Sequence, residues 1–269
     1  MTITCKARLF IRKCIAYVRN GIYIFTFKIK VRAAIQKKVI NHLEFMSAYD
    51  DKNGKNILVR FTAGYQIKCN SGDLSAIAET GVLEDYQMLS SFKIKPGDIV
   101  FDIGAHIGSF SVYAANKGAK VYAFEPNKEN YQRLLENIQM NGYQNMIKVY
   151  NHGIYNKEGE VGFSIHGQNS GGHSVDGGPE IIRVRRIEDI IAEENIEMIN
   201  LIKIDVEGSE YEIFPGINQT TYEKIDKIVG EYHLSYDKPE WSFKHIKEIL
   251  TPYYKDVFYK SPYYFYAQK

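Results

Sequence analysis

From residue 98 onward, short apolar runs alternate with stretches whose apolar residues recur at helical spacing, the pattern of a parallel sheet covered by helices. DIVFDIG (98–104), KVYAFEP (120–126), IKVYNHGI (147–154), INLIKID (199–205) and DKIVGEYH (226–233) read as strands. Residues 107 to 117, with Ile107, Phe110 and Ala114 on one face, read as a helix that Gly118 stops. NKENYQRLLENIQMNG (127–142) opens on Asn127 as N-cap, places Tyr131, Leu134, Leu135 and Ile138 on one side and closes at Gly142. VGFSIH and IIRVRRI are lesser strands, WSFKHIKEIL is helical, and KDVFYKSPYYFYAQ is a closing hairpin turning at Ser261-Pro262. The succession predicts a doubly wound α/β fold.

Before residue 80 the pattern differs, and a boundary is expected there: residues 1–80 as an extension, 81–269 as the main domain. NILVRFTAGYQIKC (56–69) predicts a strand pair turning near Ala63-Gly64, and in DLSAIAET Asp73 is expected to cap a helix carrying Leu74 and Ile77. Residues 5 to 48 read as a basic helix.

Composition changes this picture mainly at the front. The 269-residue chain is 45% hydrophobic and has a net charge of +2, but residues 1–45 hold ten Lys and Arg against one acid, a local +9 that leaves −7 for the rest. Arg19, Asn20 and Lys28 interrupt the apolar run, no small-residue cleavage site follows it, and it falls short of a bilayer span, so it does not read as a signal peptide. A cytoplasmic chain is expected, with this segment either packed as a solvated basic helix or resting peripherally on an anionic membrane. Cys5, Cys14 and Cys69 have no metal-ligand spacing.

The chemistry gathers after the strands, where open parallel sheets bind ligands. DIGAHIG is one glycine short of a dinucleotide fingerprint and opens on a carboxylate, Asp102. That charge would repel a pyrophosphate but attract an ammonium group. Glu125, 23 residues on and ending the second strand, is placed for the two hydroxyls of a ribose. An amino-acid nucleoside, S-adenosyl-L-methionine, satisfies both. The alternative is purely structural: Gly104 and Gly108 permitting a tight turn, with Asp102 capping the helix.

VFDIGAHIGSFSVYAANKGAKVYAFEPNKENYQRLLENIQMNG and LIKIDVEGSEYEIFPG resemble the FkbM-type methyltransferases, a branch of the class I enzymes that use this cofactor. The likeness spans about residues 80 to 235, and IDVEGSE is its most specific part. The resemblance implies a mostly parallel seven-stranded Rossmann-like sheet and O-methylation of sugars, polyketides or other secondary metabolites. It also implies a cofactor turn of Asp102, Gly104, Ala105 and Gly108, a ribose ligand in Glu125, an adenine edge at Asn151 and His152, and Tyr86 closing over the methionine end.

Transfer to an alcohol benefits from a base or a metal. His233 is the first candidate for base, with Glu231, Asp205 and His173 as alternatives; the plain reading of His233 is a strand-end histidine bonded to backbone. Asp205 and Glu231 are candidate ligands for a divalent metal, which is not the favoured reading. Asp205 and Glu207 are equally suited to capping the helix after DVEG. The glycine-rich HGQNSGGHSVDGG (166–178) reads either as a mobile loop over the acceptor or as a hairpin tip. Two other function classes compete with this reading. A nucleic-acid methyltransferase would use the basic front, but the chain lacks an (Asp/Asn)-Pro-Pro-aromatic run after the fourth strand. A non-catalytic scaffold would have no need of the Asp102/Glu125 pair.

Overall fold

A computed structural model describes residues 43–46, 57–61, 63–81, 85–87, 89–164, 175, 177–234, 241–261 and 263–269. The elements run β1 (Leu43–Met46), β2 (Ile57–Phe61), β3 (Gln66–Cys69), α1 (Leu74–Gly81), β4 (Ile99–Ile103), α2 (Ser109–Asn116), β5 (Lys120–Phe124), α3 (Lys128–Asn141), β6 (Ile147–Tyr150) and β7 (Gly153–Ile154). They continue with β8 (Gly159–Phe163), β9 (Glu180–Arg185), α4 (Ile187–Glu193), β10 (Leu201–Ile204), α5 (Glu210–Gly216), α6 (Gln219–Glu223), β11 (Lys227–Glu231), α7 (Phe243–Leu250), β12 (Asp256–Ser261) and β13 (Tyr264–Gln268).

The central sheet has seven strands in the order β12-β13-β11-β10-β4-β5-β6, parallel from β11 to β6, with β13 antiparallel to β11 and β12. This is the doubly wound sheet that the alternating pattern predicts. Its strands are apolar because helices cover both faces: every residue from Val100 to Ile103 and from Leu201 to Ile204 is buried, including Asp102 and Lys203. The cap at Asn127 forms as expected, its side chain accepting a bond from the Asn130 amide. A smaller sheet, β7-β9-β8, extends from β6.

The front of the chain departs from expectation in two ways. Residues 43–46, part of the segment read as helical, form a strand antiparallel to β2, and the rest of that segment lies outside the described residues. The boundary at residue 80 is not a break in packing either. Ile57, Val59, Ile67, Leu74 and Ile77 share one buried cluster with Val100, Phe110, Val112 and Tyr113 of the main sheet and α2.

Side-chain amides, not strand pairing, dock β3 onto α3. Asn137 accepts a bond from the Lys68 amide at 2.7 Å and donates to the Lys68 carbonyl at 3.1 Å. One turn on, Asn141 does the same for Gln66, at 2.8 and 2.6 Å. Each asparagine thus presents to β3 the donor and acceptor that a neighbouring strand would, and Asn137 also donates to the Ile107 carbonyl at 2.9 Å. No helix among the described residues is long and apolar enough to cross a membrane.

Gly108 begins α2 with φ 85°, and a Cβ there would overlap Leu134 of α3. Gly108→Ala should therefore lower unfolding stability by roughly 1–3 kcal/mol, from the left-handed backbone and overpacking together. Urea denaturation measures this, and an unchanged midpoint would contradict the packing assignment.

Candidate active site

A cavity of about 220 Å³ opens over the carboxyl ends of β4, β5, β10 and β11. Its floor is the turn after β4. Gly104, with φ 80°, has no room for a side chain, because a Cβ would overlap the Asp205 carbonyl oxygen. Gly104 and Ala105 line the cavity, whereas Gly108 does not: it is spent on the contact of α2 with α3.

Asp102 also departs from expectation. It was expected at a strand tip facing the ligand, but it is fully buried and absent from the cavity wall. Its Oδ2 accepts a bond from Ser111 at 2.6 Å, and its Oδ1 lies 3.4 Å from the ammonium of Lys203. Lys203 in turn donates to the Gly104 carbonyl at 2.8 Å and stands 3.8 Å from Asp205, while lining the cavity itself. Burial by itself would lower the Lys203 pKa, but Asp102 and Asp205 on either side raise it above the ordinary lysine value. Asp102 therefore acts on the turn through Lys203.

At the β5 end, Glu125 is 5% exposed and lines the cavity, as expected of a strand-final carboxylate. Its oxygens accept bonds from the amides of His106 (2.7 Å) and Asn127 (2.9 Å). Burial pushes its pKa up, and nearby His106 and these amides pull it back. Asn151 and His152 do not reach the cavity. The chain turns after β6, so Gly153 and Ile154 line it instead. Asn151 donates to the Glu125 and Pro126 carbonyls, and the buried His152 ring packs against Phe124 and Tyr150.

Beside the Gly104 turn lies an acidic cluster. Asp205, just past β10, accepts a 3.0 Å bond from the buried Tyr86 hydroxyl, and both line the cavity with Glu207 and Glu231. The capping expected of Asp205 and Glu207 is done by Glu210, which is fully buried and accepts from the amides of Val206 and Gly208 at 3.0 and 2.9 Å. Glu207 is left facing His233.

His233 is not the neutral base that was expected. Its Nδ1 is 3.0 Å from Glu210, and its Nε2 is 3.3 Å from Glu207 and 3.8 Å from both Asp205 and Glu231. Burial would lower its pKa, but these carboxylates, led by Glu210, raise it to about 10, so at neutral pH it is an imidazolium. Glu231 shifts the other way for a carboxylate, up to about 7, through burial and the charge of Asp205. Asp205, Glu231 and His233 also bring one ligand atom each within 4.8 Å of one another, a spacing a divalent ion could use by displacing the proton of His233. His173, with most of the glycine-rich segment, lies outside the described residues.

The family with the description Methyltransferase FkbM domain matches residues 102–259. The chain belongs to the FkbM methyltransferase family. It is 30% identical over 176 residues to 31-O-demethyl-FK506 methyltransferase FkbM of Streptomyces tacrolimicus, a match covering 52% of this chain and 67% of that protein. It is 26% identical over 142 residues to the hexuronic acid methyltransferase AglP of Haloferax volcanii, covering 52% of this chain and 58% of AglP. A crystal structure of methyltransferase FkbM from Methylobacillus flagellatus KT aligns with a TM-score of 0.46 at 22% identity, over 65% of this chain and 44% of that one. The match thus spans between 44% and 67% of these relatives.

Lys203 and Glu210 are the residues that sequence reasoning missed in this family's IDVEGSE region. The signal for Lys203 was its place: a lysine within an apolar strand, two residues from Asp205, needs a buried counter-charge. Lys203→Met should cost about 3–5 kcal/mol in urea denaturation, because Asp102 would be left buried without its cation. A loss within about 0.5 kcal/mol would contradict the pairing.

Proposed function

We propose that this family member is an S-adenosyl-L-methionine-dependent O-methyltransferase acting on a hydroxyl of a saccharide or other small molecule. The observation that carries the reading is a single cavity walled at one end by the buried carboxylate of Glu125, floored by the Gly104 turn, and walled on the far side of that turn by Tyr86, Asp205 and Glu231. The first end suits the cofactor. Glu125 offers only acceptors, so ribose hydroxyls supply the donors that complete its hydrogen bonding. The Gly104–Ala105 turn gives the amino-acid end a backbone-lined floor. Gly153 and Ile154, with Phe124, form an apolar wall for a base.

Bound there, the cofactor supplies a methyl group already activated on a sulfonium, so the protein's work is to orient an acceptor and exclude water. The Glu231 carboxylate takes the acceptor hydroxyl proton. Its raised pKa matches it to that task near neutrality, whereas His233, already protonated, balances the surrounding carboxylates. Asp205, Glu207 and Glu231 make the acceptor end acidic, which disfavours a nucleic-acid acceptor with its phosphates. The names of two relatives specify a hexuronic acid and 31-O-demethyl-FK506, and that range supports a saccharide or other small-molecule hydroxyl.

The test is transfer of tritiated methyl groups onto a panel of glycosides, with pH varied. Because the base must be ionised, kcat/KM should fall as pH drops through about 7, the pKa of Glu231. Glu231→Gln should remove this limb and lower kcat by roughly 100-fold or more. A variant that keeps both rate and pH profile would remove Glu231 from the mechanism. Dialysis against EDTA should leave transfer intact. Loss restored by a divalent ion would instead assign Asp205, Glu231 and His233 to a metal.

A further inference from the structure

Residues 72–80 precede the family-matched region, yet Gly72, Ala76, Glu79 and Thr80 form part of the cavity wall. What holds them there is a buried charged cluster centred on Asp73, which is 1% exposed. Asp73 accepts a bond from the Asn70 amide at 2.7 Å, pairs with the Arg133 guanidinium of α3 and lies 3.3 Å from the Nε2 of His106. Burial would raise its pKa, but His106 and Arg133 hold the carboxyl well below the usual range.

His106 is the unusual member. It sits inside the cofactor turn with φ 54°, a left-handed backbone that is disfavoured for a residue with a side chain. That conformation aims its amide at the Oε2 of Glu125, 2.7 Å away, while its ring reaches Asp73. One residue therefore connects the carboxylate read as the ribose ligand to the wall segment. Asn137 makes a second connection, since the same side chain that binds the Lys68 backbone also donates to the Ile107 carbonyl.

We propose that Asp73, His106 and Arg133 form a latch that builds residues 72–80 into the cofactor site, making His106 and Asp73 positioning residues for cofactor binding. The proposal rests on the reading that this cavity takes S-adenosyl-L-methionine. If the latch holds, the family-matched segment lacks one wall of its own cofactor site, and closing residues 72–80 over the ligand is coupled to the bond between His106 and Glu125.

Isothermal titration of the full chain with S-adenosylhomocysteine tests this, together with hydrogen exchange of residues 72–81 with and without that ligand. His106→Asn is the main variant, because asparagine tolerates the left-handed backbone but takes away the imidazole. Asp73→Asn attacks the other partner, and Asn141→Ala is the control that loosens β3 without touching the latch. Wild-type protein should bind and gain protection at 72–81. His106→Asn should bind roughly tenfold or more weakly and lose the ligand-dependent protection, with thermal unfolding showing it still folded. Asn141→Ala should retain both. Should Asp73→Asn fail to fold, His106→Asn carries the test alone. Wild-type affinity in His106→Asn, or weakened binding with protection at 72–81 intact, would overturn the latch. No heat with wild-type protein would overturn the cofactor reading and the latch with it.

Discussion

The end of β4 and the end of β10 meet with no space between them: at Gly104 even a methyl group would overlap the Asp205 carbonyl oxygen. The Asp205 amide donates to the Ile103 carbonyl across this junction, and Lys203 donates to the Gly104 carbonyl from beneath it. A lysine buried among apolar strands is tolerable only between counter-charges, which Asp102 and Asp205 supply. The abutment places the floor of the cavity and the acidic cluster side by side. Tyr86, bonded to Asp205 with its ring close to the Lys203 ammonium, closes the same junction from above.

The acids around the cavity divide their work by burial. Glu210, fully buried, satisfies the backbone amides of the DVEG turn and orients His233, leaving Asp205, Glu207 and Glu231 on the wall. Without the charge on His233 these carboxylates would repel one another across a few ångströms. With it, repulsion and desolvation fall chiefly on Glu231, which is how a carboxylate acquires an affinity for protons suited to neutral pH.

Much of this architecture is legible in the sequence, because strand and helix periods and turn residues are local properties. The strands from DIVFDIG to DKIVGEYH and the cap at Asn127 are where the pattern puts them. Glu125 also lies where its position at the end of a strand implies. The misassignments share one cause: sequence spacing shows which end of a strand a residue occupies, but not what else is buried beside it. Asp102 looked like a ligand because Lys203, a hundred residues on, could not be seen to claim it. His233 looked neutral because Glu210 was not recognised as its partner. No motif marks Asn137 and Asn141, which bind β3 as a strand would, so the packing of the front of the chain was hidden too.

In the proposed function, Glu125 and the Gly104 turn hold an amino-acid nucleoside by its ribose. A binding cycle by calorimetry tests it most directly, comparing S-adenosylhomocysteine with its 2′,3′-dideoxy analogue on wild-type protein and on Glu125→Ala. Removing the hydroxyls should weaken binding to the wild type roughly tenfold or more, as expected for hydrogen bonds to a charged group, and should make no further difference to Glu125→Ala. A penalty of equal size in both proteins, or none in the wild type, would mean that Glu125 does not bind the ribose.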